Sequence, residues 1–437
     1  MRPHNHRGRL RSSLAVGAAA IMASTLVTAC GSGSTGTPTI NLYNAPQQNL
    51  AVMVANCNKA ANGKYQIKLN TLPRTADQQR EQLVRRLAAG DSGLDILGLD
   101  VTWTAELARA GWIREWTGSN KAEAEKGTLA APLKTAQWGG KLYAAPYNTN
   151  VQLLWYRADL MPKPASTWAG LQKQAADLAA AGKPHYIEAQ GAQYEGLTVW
   201  FNSLVASAGG SVLDPSGTKV SMGQPSVKAM QTLRDFARSK AADPSLTNTQ
   251  EDPARLQLEG GFAVAEVNWP YVYPAMQANT AVKFKKDFKW APYPGIDGPG
   301  KSPLGGSNFA ISKYSAHPAE AFDAALCLRN ADNQKIAATK DGLPPTIESV
   351  YHDTTPLDAS KKAGPDNPSM VTAYPMRAAI LSALKTAAPR PVTPTYQNVS
   401  TVVQAALSPP ASIDPAATET YLRDQVDNAL QSKGVLP

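Results

Sequence analysis

Between Thr39 and Gly111 the hydrophobic pattern alternates between the two-residue period of a strand and the roughly 3.6-residue period of a helix, which restricts the chain to a small set of layered folds. Thr39 to Tyr43 reads as a strand, Leu50 to Ala61 as a helix, Tyr65 to Leu69 as a strand and Ala76 to Ala89 as a helix that Gly90 stops. A short buried strand, Leu94 to Leu99, and a helix, Thr104 to Ala110, follow. Strands alternating with such helices predict an α/β protein with a mostly parallel, helix-covered sheet. The pattern continues with strands at Tyr143 to Pro146, Val151 to Tyr156 and Phe262 to Val267, and helices at Trp168 to Ala181 and Val227 to Arg238. From Ala319 onward the chain is mainly helical, and the Pro/Gly-rich stretches 291–306 and 341–346 are candidate crossings between lobes.

The first residues have a different purpose. Arg2, Arg7, Arg9 and Arg11 precede an apolar stretch from Ala15 to Val27, which ends in Leu26-Val27-Thr28-Ala29-Cys30. This is the layout of a lipoprotein export signal, with cleavage before Cys30, lipid on Cys30, and residues 30–38 as a flexible tether. The apolar stretch is well short of the ~20 residues that span hydrocarbon. About 400 residues remain, too many for one compact core, so two lobes are expected. Loss of the four signal arginines and no acid lowers the formal charge from +9 to +5. The remaining charges are scattered among both signs, which argues against nucleic acid as a partner. Cys57 and Cys327 are then left in an oxidising compartment, where either a disulfide or two buried thiols fits their number.

Several catalytic motifs fail on context. Gly295 to Ser302 matches the phosphate-loop pattern, but Pro303, Gly305 and Gly306 forbid the helix that must open at Lys301-Ser302. His4, His6, His185, His317 and His352 have no partners at metal-ligand spacing, so no metal or cofactor is expected. No G-x-S-x-G elbow occurs. A pair of acids for glycoside hydrolysis is not excluded by any such test.

In open sheets of this kind ligands bind beyond the carboxyl ends of the strands. Asn44, Asp100 with Trp103, Asn150 and Trp269 all fall at such ends. Each also has an ordinary reading, Asn and Asp as turn formers and Trp as a core residue. Asn268-Trp269-Pro270-Tyr271-Val272-Tyr273 adds a dense aromatic run. A flat aromatic surface beside Asp, Asn, Glu and Arg matches a sugar, whose ring offers an apolar C–H face and a rim of hydroxyls.

Motifs spread along the chain carry a resemblance. They are Asp77-Gln78-Gln79-Arg80-Glu81-Gln82-Leu83, Leu94 to Glu106, Leu153-Leu154-Trp155-Tyr156 and Val267-Asn268-Trp269-Pro270, then Leu304-Gly305-Gly306, Gly342-Leu343-Pro344 and Arg390-Pro391-Val392-Thr393-Pro394-Thr395-Tyr396. As a set they resemble the extracellular sugar-binding proteins of ABC importers, with order and spacing most similar to the trehalose-binding lipoproteins of mycobacterial importers. The resemblance implies a two-lobed periplasmic-binding-protein-like fold with a sheet in each lobe, an interlobe cleft and a hinge. It implies lobe 1 at 39–147 and 303–346 and lobe 2 at 148–302 and 347–437. It also implies a neutral α-linked disaccharide as ligand, trehalose ahead of maltose, with delivery to permease subunits in the membrane. The protein would then be a lipid-anchored monomer outside the cytoplasmic membrane.

The resemblance assigns roles as well. Asp100, Asn150 and Glu251, which lies eighteen residues before Trp269, bind hydroxyls. Trp269 is the stacking platform with Tyr271 in the same run, and Arg390 and Tyr396 reach into the cleft. Gly306 and Gly342 let backbone approach the sugar. Asn44 begins a loop, Asn44 to Asn49, that departs from the mycobacterial pattern, as does Ser307-Asn308 where relatives place an aromatic. Placing the helices of Cys57 and Cys327 in one lobe, the resemblance favours their disulfide. Two alternatives remain, an exported glycoside hydrolase using Asp100 and Glu251, and a peptide-type solute receptor on the same fold.

Overall fold

The computed structural model describes residues 36–364 and 366–433, so the expected signal and lipid site at Cys30 lie outside the described residues. The strands are β1 (Thr39–Asn44), β2 (Gln66–Thr71), β3 (Ile96–Asp100), β4 (Gln137–Trp138), β5 (Lys141–Leu142), β6 (Ala144–Val151), β7 (Leu153–Arg157), β8 (Tyr186–Glu188), β9 (Ala263–Asn268), β10 (Phe288–Ala291) and β11 (Leu304–Ile311). They form a five-stranded sheet ordered β2-β1-β3-β11-β6, a four-stranded sheet ordered β10-β7-β9-β8 and a small β4-β5 hairpin.

The expectation of mostly parallel sheets is corrected. Among the described residues the parallel strand pairs are β1–β2, β1–β3 and β8–β9, while β11 runs antiparallel to both β3 and β6, and β7 antiparallel to β9 and β10. The cause lies in the chain path: β11 returns from the second lobe without the helical crossover that a parallel neighbour requires. Each sheet has its own core. Ile40, Leu42, Leu97, Leu99, Tyr147 and Phe309 are buried in the first lobe, where Cys57 and Cys327 are joined as a disulfide with Cα atoms 5.8 Å apart. In the second lobe Trp168, Trp200 and Phe236 meet at ring-centroid distances of 5.1 to 5.5 Å. A further cluster packs Tyr351, Met370, Tyr374 and Ile380 with Trp155 and Phe288.

β6 stays paired in the first sheet as far as Val151, so the first crossing falls at Gln152 rather than between 147 and 148. Pro146 does not end the strand because a register shift opposite Ser307 and Asn308 leaves Tyr147 as the extra residue of a bulge. At the second crossing the Ser302 hydroxyl donates to the Gln152 carbonyl at 2.8 Å. Ala388 closes this hinge through Ala388 N to Ser302 O at 2.7 Å and Leu304 N to Ala388 O at 2.9 Å. Thr149 N donates to Pro344 O at 2.9 Å beside the third crossing.

Gly295 to Ser302 forms turns with isolated bridges, Pro294 to Pro299 and Thr167 to Gly295, and strand β11 follows where a phosphate site would need a helix. Helices Glu195–Ser207, Glu251–Glu259 and Ala331–Asp341 are additional to the sequence reading. Among the described residues no helix is long and apolar enough to cross a membrane.

Candidate functional site

A cleft of about 760 Å³ opens at the lobe boundary. Of the expected ligand residues, Asn44, Asp100, Asn150, Glu251, Trp269, Tyr271, Gly306 and Arg390 line it. Gly342 and Tyr396 do not. Gly342 caps the helix Ala331–Asp341 at φ 71°, and a Cβ there would press 2.7 Å from Pro270 O and Tyr271 Cα, so its need for glycine comes from protein packing. Tyr396 is buried behind the cleft, its hydroxyl donating to Glu195. Trp103 is a core residue of the first lobe.

The walls follow from local structure. Asn44 ends β1 and lies over Gly98, where any Cβ would collide with its side-chain amide. Trp269 follows β9, held by a hydrogen bond from its backbone N–H to Asn268 Oδ1 at 2.8 Å. A Cβ at Gly305 would stand 3.0 Å from the indole ring, so glycine lets Trp269 lie against β11. Gly306, at φ 129°, is required by the neighbouring strand, since a Cβ would stand 2.7 Å from Thr149 Cα. The loop from Asn44 to Asn49 is pinned by Asp341, which accepts from Gln47 Nε2 at 2.9 Å and Asn49 N at 3.2 Å.

Two acids sit at helix N-termini, Glu195 opening Glu195–Ser207 and Glu251 opening Glu251–Glu259. Burial raises the pKa of Glu251, the nearby polar groups of Tyr194, its own backbone and Trp269 oppose this, and Asp252 raises it further. Tyr194 lies near Glu251, but its hydroxyl makes no hydrogen bond of ordinary geometry.

Also on the cleft wall, Arg390 Nη1 donates to Glu195 Oε1 at 2.6 Å, and Nη2 donates to Asp100 Oδ1 at 2.9 Å and Oδ2 at 3.1 Å. Asp100 Oδ1 also accepts from Thr102 N and Oγ1, at 2.9 and 2.8 Å. Burial alone would lower the Arg390 pKa, but Asp100, Tyr396 and Glu195 hold it well above the ordinary guanidinium value. Burial raises the Glu195 pKa, opposed by Arg390, Ser400 and Tyr396. Arg390 is therefore a cation already matched by two acids.

Sequence reasoning missed Glu195. Its helix is buried from Glu195 through Val205, so no amphipathic period marks it. The local signal was an acid directly before an apolar run, Glu195-Gly196-Leu197-Thr198-Val199-Trp200. Among the described residues no group of three His, Cys, Asp or Glu side chains is arranged to hold a metal.

Two sheet-centred lobes joined by short crossings, with polar and aromatic side chains converging between them, define a two-lobed solute receptor. The chain belongs to the bacterial extracellular solute-binding protein family, whose pattern matches residues 45–335. A probable ABC transporter-binding protein of Deinococcus radiodurans is 31% identical over 308 residues, 67% of this chain and 72% of that one. Maltose-bound MalE3 of T. maritima is 26% identical with a TM-score of 0.78, covering 89% of this chain and 99% of that one. The GacH receptor of Streptomyces glaucescens, at 18% identity, has a TM-score of 0.76 over 91% of this chain and 100% of that one, which is a likeness of fold.

Proposed function

We propose that this protein is the substrate-binding component of an ABC sugar importer, and that it takes a neutral α-linked disaccharide, trehalose ahead of maltose, into the cleft. The observation that carries this reading is the Trp269 indole seated on Gly305 in a cleft that Asn44, Asp100, Asn150 and Glu251 also line. An indole face accepts the apolar side of a sugar ring, and amide and carboxylate oxygens accept its hydroxyls. Arg390 is matched by Asp100 and Glu195, and Arg74 pairs with Asp252, so neither arginine of the cleft is left unmatched for a phosphorylated ligand. The maltose bound by MalE3 supports the sugar class.

Closure of the lobes around the sugar takes it out of water and shapes the surface read by the permease. The sequence around Cys30 supports lipid anchoring on the outer face of the cytoplasmic membrane. A thermal-shift screen over trehalose, maltose, longer α-glucans and short peptides tests the assignment, since ligand at about a hundred times its Kd stabilises by about 2.7 kcal/mol. A shift with peptides alone removes the sugar reading. Release of glucose from trehalose or maltose above background makes the protein a hydrolase instead.

A further inference from the structure

Arg390 was expected to serve the ligand directly, yet three of its hydrogen bonds are made to carboxylates on two different lobes. It sits two residues beyond Ala388, which is bonded to the crossing at Ser302 and Leu304. Its side chain is 3% exposed, against 10% for Glu195 and 22% for Asp100. Asp100 ends β3 of the first lobe. Glu195 belongs wholly to the second: its Oε1 accepts from the Tyr396 hydroxyl and its Oε2 from the Ser400 hydroxyl, and Ser400 is held in turn by Gln404 Nε2 at 2.9 Å. Other contacts between the lobes include Arg74 to Asp252 at 3.4 Å and Gln397 to Asp77 at 2.7 Å near the cleft, and Lys335 Nζ to Asp353 Oδ2 at 2.7 Å beside the third crossing. The Arg74 pair is 84% and 47% exposed and solvent screens it.

We propose that Glu195 is a positioning residue: anchored by Tyr396 and Ser400, it fixes the Arg390 guanidinium at the lobe boundary, and through Arg390 it sets the orientation of Asp100 and the spacing of the lobes. A guanidinium is planar with donors in a fixed fork, so gripping Nη1 determines where Nη2 points. Without that grip Asp100, itself shared with Thr102, is the remaining hydrogen-bond acceptor of the buried cation, and the fork is free to turn. Breaking one partner of a buried ion network leaves the others uncompensated, so the effect reaches the cleft even where Glu195 makes no ligand contact.

The test has two arms, and only the second rests on the sugar reading. In the first, spin labels on Ala122→Cys and Asp424→Cys, exposed positions in the first and second lobes, report the interlobe distance without any sugar while Cys57 and Cys327 remain paired. The otherwise unaltered protein should give one narrow distance, and Glu195→Gln a broadened or longer one. Ser400→Ala, which keeps the Glu195 charge but removes an anchor, should move the distribution the same way to a smaller extent. Distributions unchanged in both variants overturn the proposal.

In the second arm, calorimetry with trehalose and maltose should show Glu195→Gln weakening affinity about ten- to a hundredfold. In an Arg390→Gln background the same change should cost less than about threefold, because a residue acting through Arg390 loses its effect once Arg390 is gone. Full additivity of the two losses overturns the proposal, since a structural role independent of Arg390 would give that result. If neither sugar binds the unaltered protein, the sugar reading fails and the label distances alone decide the role of Glu195.

Discussion

Replacing Glu188 with Gln should make the protein more stable at neutral pH, by an amount that grows with pH. Glu188 and Glu266 face each other across β8 and β9, buried at 1% and 0% exposure. Among the described residues both Glu188 oxygens and Glu266 Oε1 have no hydrogen-bond partner, while Glu266 Oε2 accepts from Asn268 Nδ2 at 2.8 Å. Burial, then Asp243 and Glu266, push the Glu188 carboxyl up to about 9, and burial pushes Glu266 to about 8 despite Asn268 and Arg255. Glu259 and Asp252, on the helix that also carries Arg255, raise Glu266 further.

A carboxyl that is neutral when folded but ionised when unfolded favours folding most below its unfolded pKa, near 4.5, and loses that advantage progressively until its folded pKa is reached. The loss is about 1.4 kcal/mol per pH unit for each group. Gln copies the neutral acid and has no such slope, while Glu266 is present in both proteins and its slope cancels to first order. Between pH 5 and 7 the stability difference should therefore move by about 3 kcal/mol in favour of Glu188→Gln. Denaturant unfolding of both proteins at pH 5, 6, 7 and 8 measures it. Parallel stability profiles would refute the buried neutral pair.

Trp269→Ala should weaken disaccharide binding by about 2 kcal/mol, roughly thirtyfold, with little change in melting temperature, measured by calorimetry and thermal unfolding. Gly305→Ala should cost about 1 kcal/mol of affinity, roughly fivefold, because the added methyl displaces the indole; unchanged affinity would mean that the indole position does not matter. Replacing Cys57 and Cys327 together with Ser opens a link of 270 residues in sequence and should destabilise by about 5 kcal/mol in the chain-entropy model, read as a lower denaturant midpoint.

The parallel half of the first sheet was legible because β1 to β3 and their helices each show a clean period, and the helix Leu50–Ala61 falls where the pattern puts it. Three things hid the rest. A strand such as β11, rich in Gly, Ser and Asn, carries no hydrophobic alternation, and its antiparallel place depends on a chain path through the other lobe. The helix opening at Glu195 is buried on all sides, so its period is invisible. Finally, what Arg390 touches is set by residues 195 and 290 positions away, which no local pattern reports. Gly342 and Tyr396 show the same limit, since their motif is near the cleft while their side of the backbone serves packing.

Whether the cleft takes a disaccharide against Trp269 is decided by titrating trehalose and maltose into the purified protein and into Trp269→Ala, followed by calorimetry. At least one of these disaccharides should bind one-to-one, and the variant should bind it at least about tenfold more weakly. No heat with either sugar, or equal affinities in the two proteins, would contradict this.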